Sequence, residues 1–358
     1  MTFARRLGGA ALVLVAVLAL CGTAGARTFD KALLGPESSP DGQTPWPVYK
    51  DLGVNVLESG LSWKSVSQSR PADPTNPDDP AYVWPASLDQ TVSDAGANGI
   101  QMLLTAMDTP EWANGGKPDG AWAPTDPRDY ANFLIAASKH YPTVKRWMIW
   151  GEPCRAGNFK PITYQPYFHK LTAEQKSQVQ RYAVILDDAY GALKSVDSGN
   201  VVIGGNTWSY CDIRPLDWVQ NLQLPNGRPP RMDLYGHNPI GLIKRKTPIP
   251  PKLHAIELPD LPRLQHYIDR YLGRGRPRIK LWLSEYFLPT VGNPKTNFAV
   301  PPSQEGPILA QALRLARRTP TVTGFGYDYL YDTRTNGNAG LVSVAGRKKA
   351  AYFAFKNG

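Results

Sequence analysis

The 358-residue chain has only three cysteines. That is too few for a disulfide-dense scaffold or for a zinc site built from thiolates. Histidine is scarce too, with five in all; His140, His169, His254 and His266 read as peripheral, and none joins cysteines or carboxylates at ligand spacing, so neither a metal nor another cofactor is expected. No solenoid-type repeat and no low-complexity run is present. No glycine-rich phosphate loop follows the first predicted strand. Beyond the N-terminal leader, no apolar run is long enough to span a bilayer. Hydrophobic residues at 42% against 20% charged describe a chain that can bury a large core, not a disordered one.

What is present begins with an address. Arg5 and Arg6 precede an apolar stretch from about Ala10 to Leu20, followed by small residues ending in Ala24-Gly25-Ala26. This is the order of a secretory signal peptide, with cleavage expected after Ala26. Residues 27–358 then form one domain. Leu-Ala-Leu-Cys around Cys21 resembles a lipobox, so a membrane-anchored lipoprotein is the competing address. The net charge is +10, and +8 without Arg5 and Arg6. Such a surplus can attract an anionic wall polymer, but no nucleic-acid motif accompanies it and a solvated surface is the simpler reading. Cys154 and Cys211 remain after cleavage, and an oxidising compartment would allow them to pair.

Along the mature chain, apolar strand-like runs alternate with amphipathic helices. The strands are read at Phe29–Leu34, Val54–Glu58, Ile100–Ala106, Arg146–Trp150, Val201–Gly205, Met232–Gly236, Ile279–Leu283 and Gly324–Tyr329. Asp126-Pro127 is a helix start, and Thr172 with Gln175 has capping-box spacing. Apolar positions three or four apart follow at Val179, Tyr182, Leu186 and Ala189, again at Leu264, Ile268 and Tyr271, and again at Ile308, Leu309, Ala312 and Leu313. Strands without polar alternation are buried on both faces, and strict strand–helix alternation implies a parallel sheet. The fold class expected is α/β, a single-domain (β/α)8 TIM barrel; an open doubly wound sheet is the runner-up.

A barrel places its chemistry past the C-terminal ends of its strands. Two of those ends carry a glutamate. Glu152 follows Trp150-Gly151, and Glu285 follows Leu283-Ser284. A carboxylate emerging from an apolar strand is costly without a use or a partner. Two carboxyl groups facing one another across a cavity are what glycosidic-bond cleavage requires.

The surrounding residues carry a resemblance. Trp147-Met148-Ile149-Trp150-Gly151-Glu152-Pro153 resembles the W-x-I-W-N-E-P signature of the large clan of retaining glycoside hydrolases built on (β/α)8 barrels. Leu281-Trp282-Leu283-Ser284-Glu285-Tyr286 resembles its strand-seven segment. Thr109-Pro110-Glu111-Trp112-Ala113, Gly236-His237-Asn238-Pro239 and the Gly340-Leu341 to Tyr352 ending are similar to other clan segments, with family 5 and family 39 as the nearest comparison. The resemblance implies that Glu152 is the acid/base and Glu285 the nucleophile, the latter supported by donors such as Tyr235, His237 or Tyr286. Two departures stand out. Gly151 occupies the place of the clan's asparagine, which holds a sugar 2-hydroxyl, and Leu57-Glu58-Ser59 lacks the arginine usual near the end of strand two. Asn206 is a candidate substitute donor.

Trp63, Trp112, Trp122, Trp208 and Tyr329 are candidates for stacking on a sugar, and Asp108, Asp328 and Asp332 for bonding hydroxyls. The expected substrate-binding set is Trp63, Trp112, Asn206, Trp208, His237, Tyr286 and Tyr329. The resulting expectation is a secreted, monomeric retaining glycoside hydrolase, or a transglycosidase using the same glutamates, acting on a β-linked oligo- or polysaccharide. The alternatives are a cell-surface carbohydrate-binding protein with a degenerate site and a charge-driven wall-polymer adhesion module.

Overall fold

The computed structural model describes residues 29–37, 39, 42–166, 168–241, 255–292 and 298–358. The leader, Cys21, His254 and parts of the rim loops at 240–260 and 286–302 lie outside these residues. Eight strands form a closed parallel barrel in sequence order. They are β1 Asp30–Leu34, β2 Val56–Ser62, β3 Gln101–Met107, β4 Arg146–Ile149, β5 Val201–Trp208, β6 Leu234–Asn238, β7 Lys280–Leu283 and β8 Val322–Tyr327, with β8 pairing back onto β1. The helices are α1 Trp46–Leu52, α2 Trp63–Val66, α3 Ala86–Ala97, α4 Pro127–His140, α5 Ala173–Val196, α6 Pro215–Asn221, α7 Leu261–Tyr271, α8 Pro302–Arg318 and α9 Ala350–Asn357.

Local chemistry sets these elements. The Asp126 side chain caps α4 by accepting from the Arg128 amide, with Pro127 at the first position. Thr172 and Gln175 form a reciprocal capping box on α5, whose buried stripe includes Val179, Tyr182, Leu186 and Ala189. That stripe seals the barrel wall: Tyr182 Oη donates to the Ile149 carbonyl, at the end of β4, at 2.7 Å.

The barrel interior is a separate small core of Ala32, Val56, Leu103, Met148, Ile203 and Trp282, all fully buried. Trp282 dominates it, and two glycines make room. A Cβ on Gly324 would lie 2.3 Å from the Trp282 ring, and one on Gly326 would lie 2.0 Å from the Ser284 carbonyl and 2.9 Å from Glu58. Side chains on one strand face alternate with period two. The inward rows therefore run Val56–Glu58, Trp282–Ser284 and Gly324–Gly326–Asp328, and they carry polar groups upward from the apolar floor to the mouth.

This packing leaves no space for another carbon beside Trp282. Gly324→Ala is expected to destabilise the fold by about 3 kcal/mol or more, with a lower urea midpoint and an unchanged slope. A midpoint equal to that of the parent would show that the interior tolerates the methyl.

Candidate functional site

Glu152 and Glu285 meet at the C-terminal mouth of this barrel. The chain reaches Glu152 through two left-handed residues, Trp150 at φ 70° and Glu152 itself at φ 45°. Such conformations are costly for bulky side chains and persist where packing enforces them. Trp150 is fully buried, and its Nε1 donates to the Asn158 carbonyl at 2.7 Å. A disulfide between Cys154 and Cys211 ties this loop to the one after β5, with Cα atoms 5.5 Å apart.

Asn238, the last residue of β6, lies beside both glutamates. Its Nδ2 donates to Glu152 Oε1 at 2.9 Å, and its side chain opposes the upward shift of the Glu285 carboxyl. Asn238 Oδ1 is buried without a hydrogen-bond partner. The other Glu152 oxygen, Oε2, accepts from Arg155 Nη1 at 2.6 Å and from Asn158 Nδ2 at 3.5 Å.

Two further carboxyls crowd the site. Glu58 is 3% exposed; its Oε1 accepts from Trp282 Nε1 at 3.1 Å, and its Oε2 lies 2.5 Å from Ser284 Oγ. Burial pushes its pKa up to about 8, opposed by those two hydrogen bonds and by Arg146. Asp328, 5% exposed, follows β8, and its Oδ1 is buried without a partner. Burial, then repulsion by Glu152 and Glu58, holds it well above the usual carboxylate range. Burial, then repulsion by Glu152, Asp328 and Glu58, raises Glu285 in the same way. Groups this close titrate as one system that shares protons.

The remaining predicted residues divide between rim and core. Trp208 is half-buried at the rim, edge-on to Tyr210 at 5.8 Å, and the Arg155 guanidinium lies 4.8 Å over its ring. Tyr329 is half-buried and edge-on to Phe287 at 5.6 Å; burial, then Asp328 and Glu285, raise its pKa. Asn206 sits at φ 38° where β5 departs from regular pairing, 1% exposed, with Oδ1 unpartnered. Trp63 is fully buried, stacked on Phe133 and edge-on to Trp112. Trp112 is half-buried, its Nε1 donating to the Ser67 carbonyl while Arg70 covers its ring. His237 is fully buried between Thr207 Oγ1 at 2.9 Å and the Ile256 carbonyl at 3.3 Å. Desolvation lowers its pKa to about 4. Tyr286 is also buried, with Oη donating to the Gly241 carbonyl at 3.3 Å, and Tyr235 Oη pairs with Thr207. Tyr235, His237 and Tyr286, the candidate donors to Glu285, thus bond elsewhere, and Asn238 is the amide that opposes the shift of that carboxyl. The sequence shows Asn238 only as part of a motif. Glu58 had been read as a missing arginine, although its alternation with Val56 points it inward. Among the described residues, no cluster of histidine, cysteine and carboxylate groups suits a metal.

The architecture and the strand-end carboxylates define the class of fold, a (β/α)8 barrel of the kind found in glycoside hydrolases. No protein-family model matches the sequence, and comparison with curated proteins finds no match. Solved structures do match. A family 39 glycoside hydrolase from Bacteroides cellulosilyticus WH2 is similar over 92% of this chain and 63% of its own, at 21% identity and a TM-score of 0.64. A glucosidase from Croceicoccus marinus covers 92% and 65%, at 18% identity and a TM-score of 0.62. A monomeric β-xylosidase from Caulobacter crescentus CB15 covers 92% and 67%, at 16% identity and a TM-score of 0.60. The chain therefore spans about two thirds of the length of these proteins, and the likeness is one of fold.

The raised Glu58 gives a stability signature. Between about pH 4.5 and 8 the folded chain keeps a proton that the unfolded chain has released, so this group's contribution to stability falls as pH rises through that window. Glu58→Gln removes the dependence. The variant should gain on the parent by up to about 4 kcal/mol between pH 4.5 and 8.5, read as a widening difference in melting temperature. A constant difference across that range would refute the buried-proton assignment.

Proposed function

We propose that the protein is a retaining glycoside hydrolase that cleaves O-glycosidic bonds in a β-linked oligo- or polysaccharide. One observation carries the reading: Glu152 and Glu285, just past the ends of β4 and β7, sit close enough at the barrel mouth for the charge of Glu152 to raise Glu285, and Asn238 donates to Glu152 Oε1 at 2.9 Å. Direct attack takes a pair about 5 Å apart, whereas inverting enzymes need a wider gap for water.

The step follows from the groups present. A Glu285 oxygen attacks C1 of the sugar as the C1–O bond breaks, and the electron pair goes to the leaving oxygen. Glu152 gives that oxygen its proton. Water then attacks C1, passes a proton to Glu152, and releases the sugar from Glu285. Asn238 holds Glu152 Oε1 in place. Negative charge at Glu285 is opposed in the empty site by Glu58 and Asp328, and the positive charge that develops on the sugar ring relieves that repulsion in the transition state. Asn206, Trp208 and Tyr329 are the rim groups assigned to substrate contact. Gly151 stands where the clan's asparagine would be, and a Cβ there would meet Met107 Sδ only at 3.5 Å. The disulfide suits export to an oxidising compartment, in agreement with the leader and with action outside the cell.

Glu152→Gln and Glu285→Gln should each lower turnover of aryl or oligosaccharide β-glycosides by about 10³-fold or more, with the fold intact by circular dichroism. Activated 2-fluoro sugars of several configurations should label Glu285, located by peptide mass spectrometry. Full turnover in both variants, or a label elsewhere, would remove the assignment; sugar binding without turnover in the parent would favour a degenerate carbohydrate-binding site instead.

A further inference from the structure

Arg155 stands in the way of the proton-donor role proposed for Glu152. Oε1 accepts a hydrogen from Asn238 Nδ2 at 2.9 Å, and Oε2 accepts one from Arg155 Nη1 at 2.6 Å. Each carboxyl oxygen has two lone-pair sites, so these donors leave room for a proton but crowd the approach to it. A leaving oxygen that comes to Oε2 competes with the guanidinium, and moving Arg155 aside opens that face.

The side chain is built to do so. It is 41% exposed, and it rests on the face of Trp208 at the rim, 4.8 Å above the ring. Among the described residues it is the one cation within ion-pair distance of the four site carboxyls. Removing it from Glu152 with nothing in exchange would give up a charge-assisted hydrogen bond. A second carboxylate can replace Glu152 as its partner without that loss. Such an anion cannot sit where the cleaved sugar sits, because Glu285, Glu58 and Asp328 already repel one another there. It must sit on the far side of Glu152, where the leaving group lies.

We infer that Arg155 and Trp208 form a subsite for a uronate sugar on the leaving-group side, and that its carboxylate draws Arg155 off Glu152 Oε2. The inference rests on the reading of Glu152 as the proton donor. Trp208 supplies a face for the sugar ring, and Arg155 pairs with the carboxylate. Arg155 is thus a positioning residue that ties the availability of the acid to the chemistry of the substrate.

The test uses pairs of β-linked oligosaccharides, each a glucuronate- or galacturonate-containing tetrasaccharide with its carboxyl-reduced counterpart. Binding is followed calorimetrically and by tryptophan fluorescence. In at least one pair the uronate member should bind the intact protein 10-fold or more tightly. The preference should fall to near unity in Arg155→Gln, survive in part in Arg155→Lys, and shrink with added salt. Equal or absent binding for both members of every pair would overturn the inference, as would a preference that Arg155→Gln leaves intact. Binding needs no turnover, so failure of the subsite and failure of the hydrolase reading remain distinguishable. Where turnover is measured, the uronate advantage should appear in kcat as well as KM for the parent, and in neither for Arg155→Gln.

Discussion

Repulsion among four carboxyl groups at one barrel mouth governs this molecule. Glu152, Glu285 and Asp328 follow β4, β7 and β8, Glu58 lies within β2, and all but the half-buried Glu285 are shielded from water. Low polarity strengthens repulsion and makes each isolated charge expensive. The site holds protons that free carboxyls would release at neutral pH, and its hydrogen bonds determine where those protons rest. Trp282 and Ser284 hold Glu58 from the barrel interior, Asn238 holds Glu152, and Arg155 closes the cluster from the rim.

The scaffold exists to hold that cluster in place. The interior floor is apolar and filled by Trp282, for which the glycine at 324 makes room, while the glycine at 326 makes room for Ser284 and Glu58. The polar row begins directly above it. Left-handed residues concentrate at the same level, with Asp108, Trp150, Glu152 and Asn206 at the ends of β3, β4 and β5. Backbone strain there is balanced by packing below, a common pattern where a site must present side chains that regular strand geometry would turn elsewhere.

Much of this was legible in the residues alone. All eight strands lie within a few positions of where continuous apolar runs place them, because strands buried on both faces admit little else. The two glutamates stand out because the apolar runs Trp147–Trp150 and Leu281–Leu283 lead up to them. Helices α1, α2 and α6 were not read, being four to seven residues long and too short to show a period. Helix α3 escaped for another reason: its buried face is Leu88, Thr91 and Ala95, a weak stripe. Asn238 was hidden by distance, since its partner lies 86 residues away. Trp63 shows the converse error of scale, a strand-end aromatic that the helices outside the barrel absorb entirely.

On the proposed reading, Glu58 and Arg155 account for the absent strand-two arginine without loss of function. Strand two here carries a carboxyl that burial keeps protonated up to about pH 8, so it lies near Glu285 without adding a full charge. The cation of the site sits at the rim, on Glu152. In a decaying pocket Glu58 would be an unrelieved cost of burial; on the proposed reading it belongs to a site in which Arg155 is free to meet a negative charge that a substrate brings.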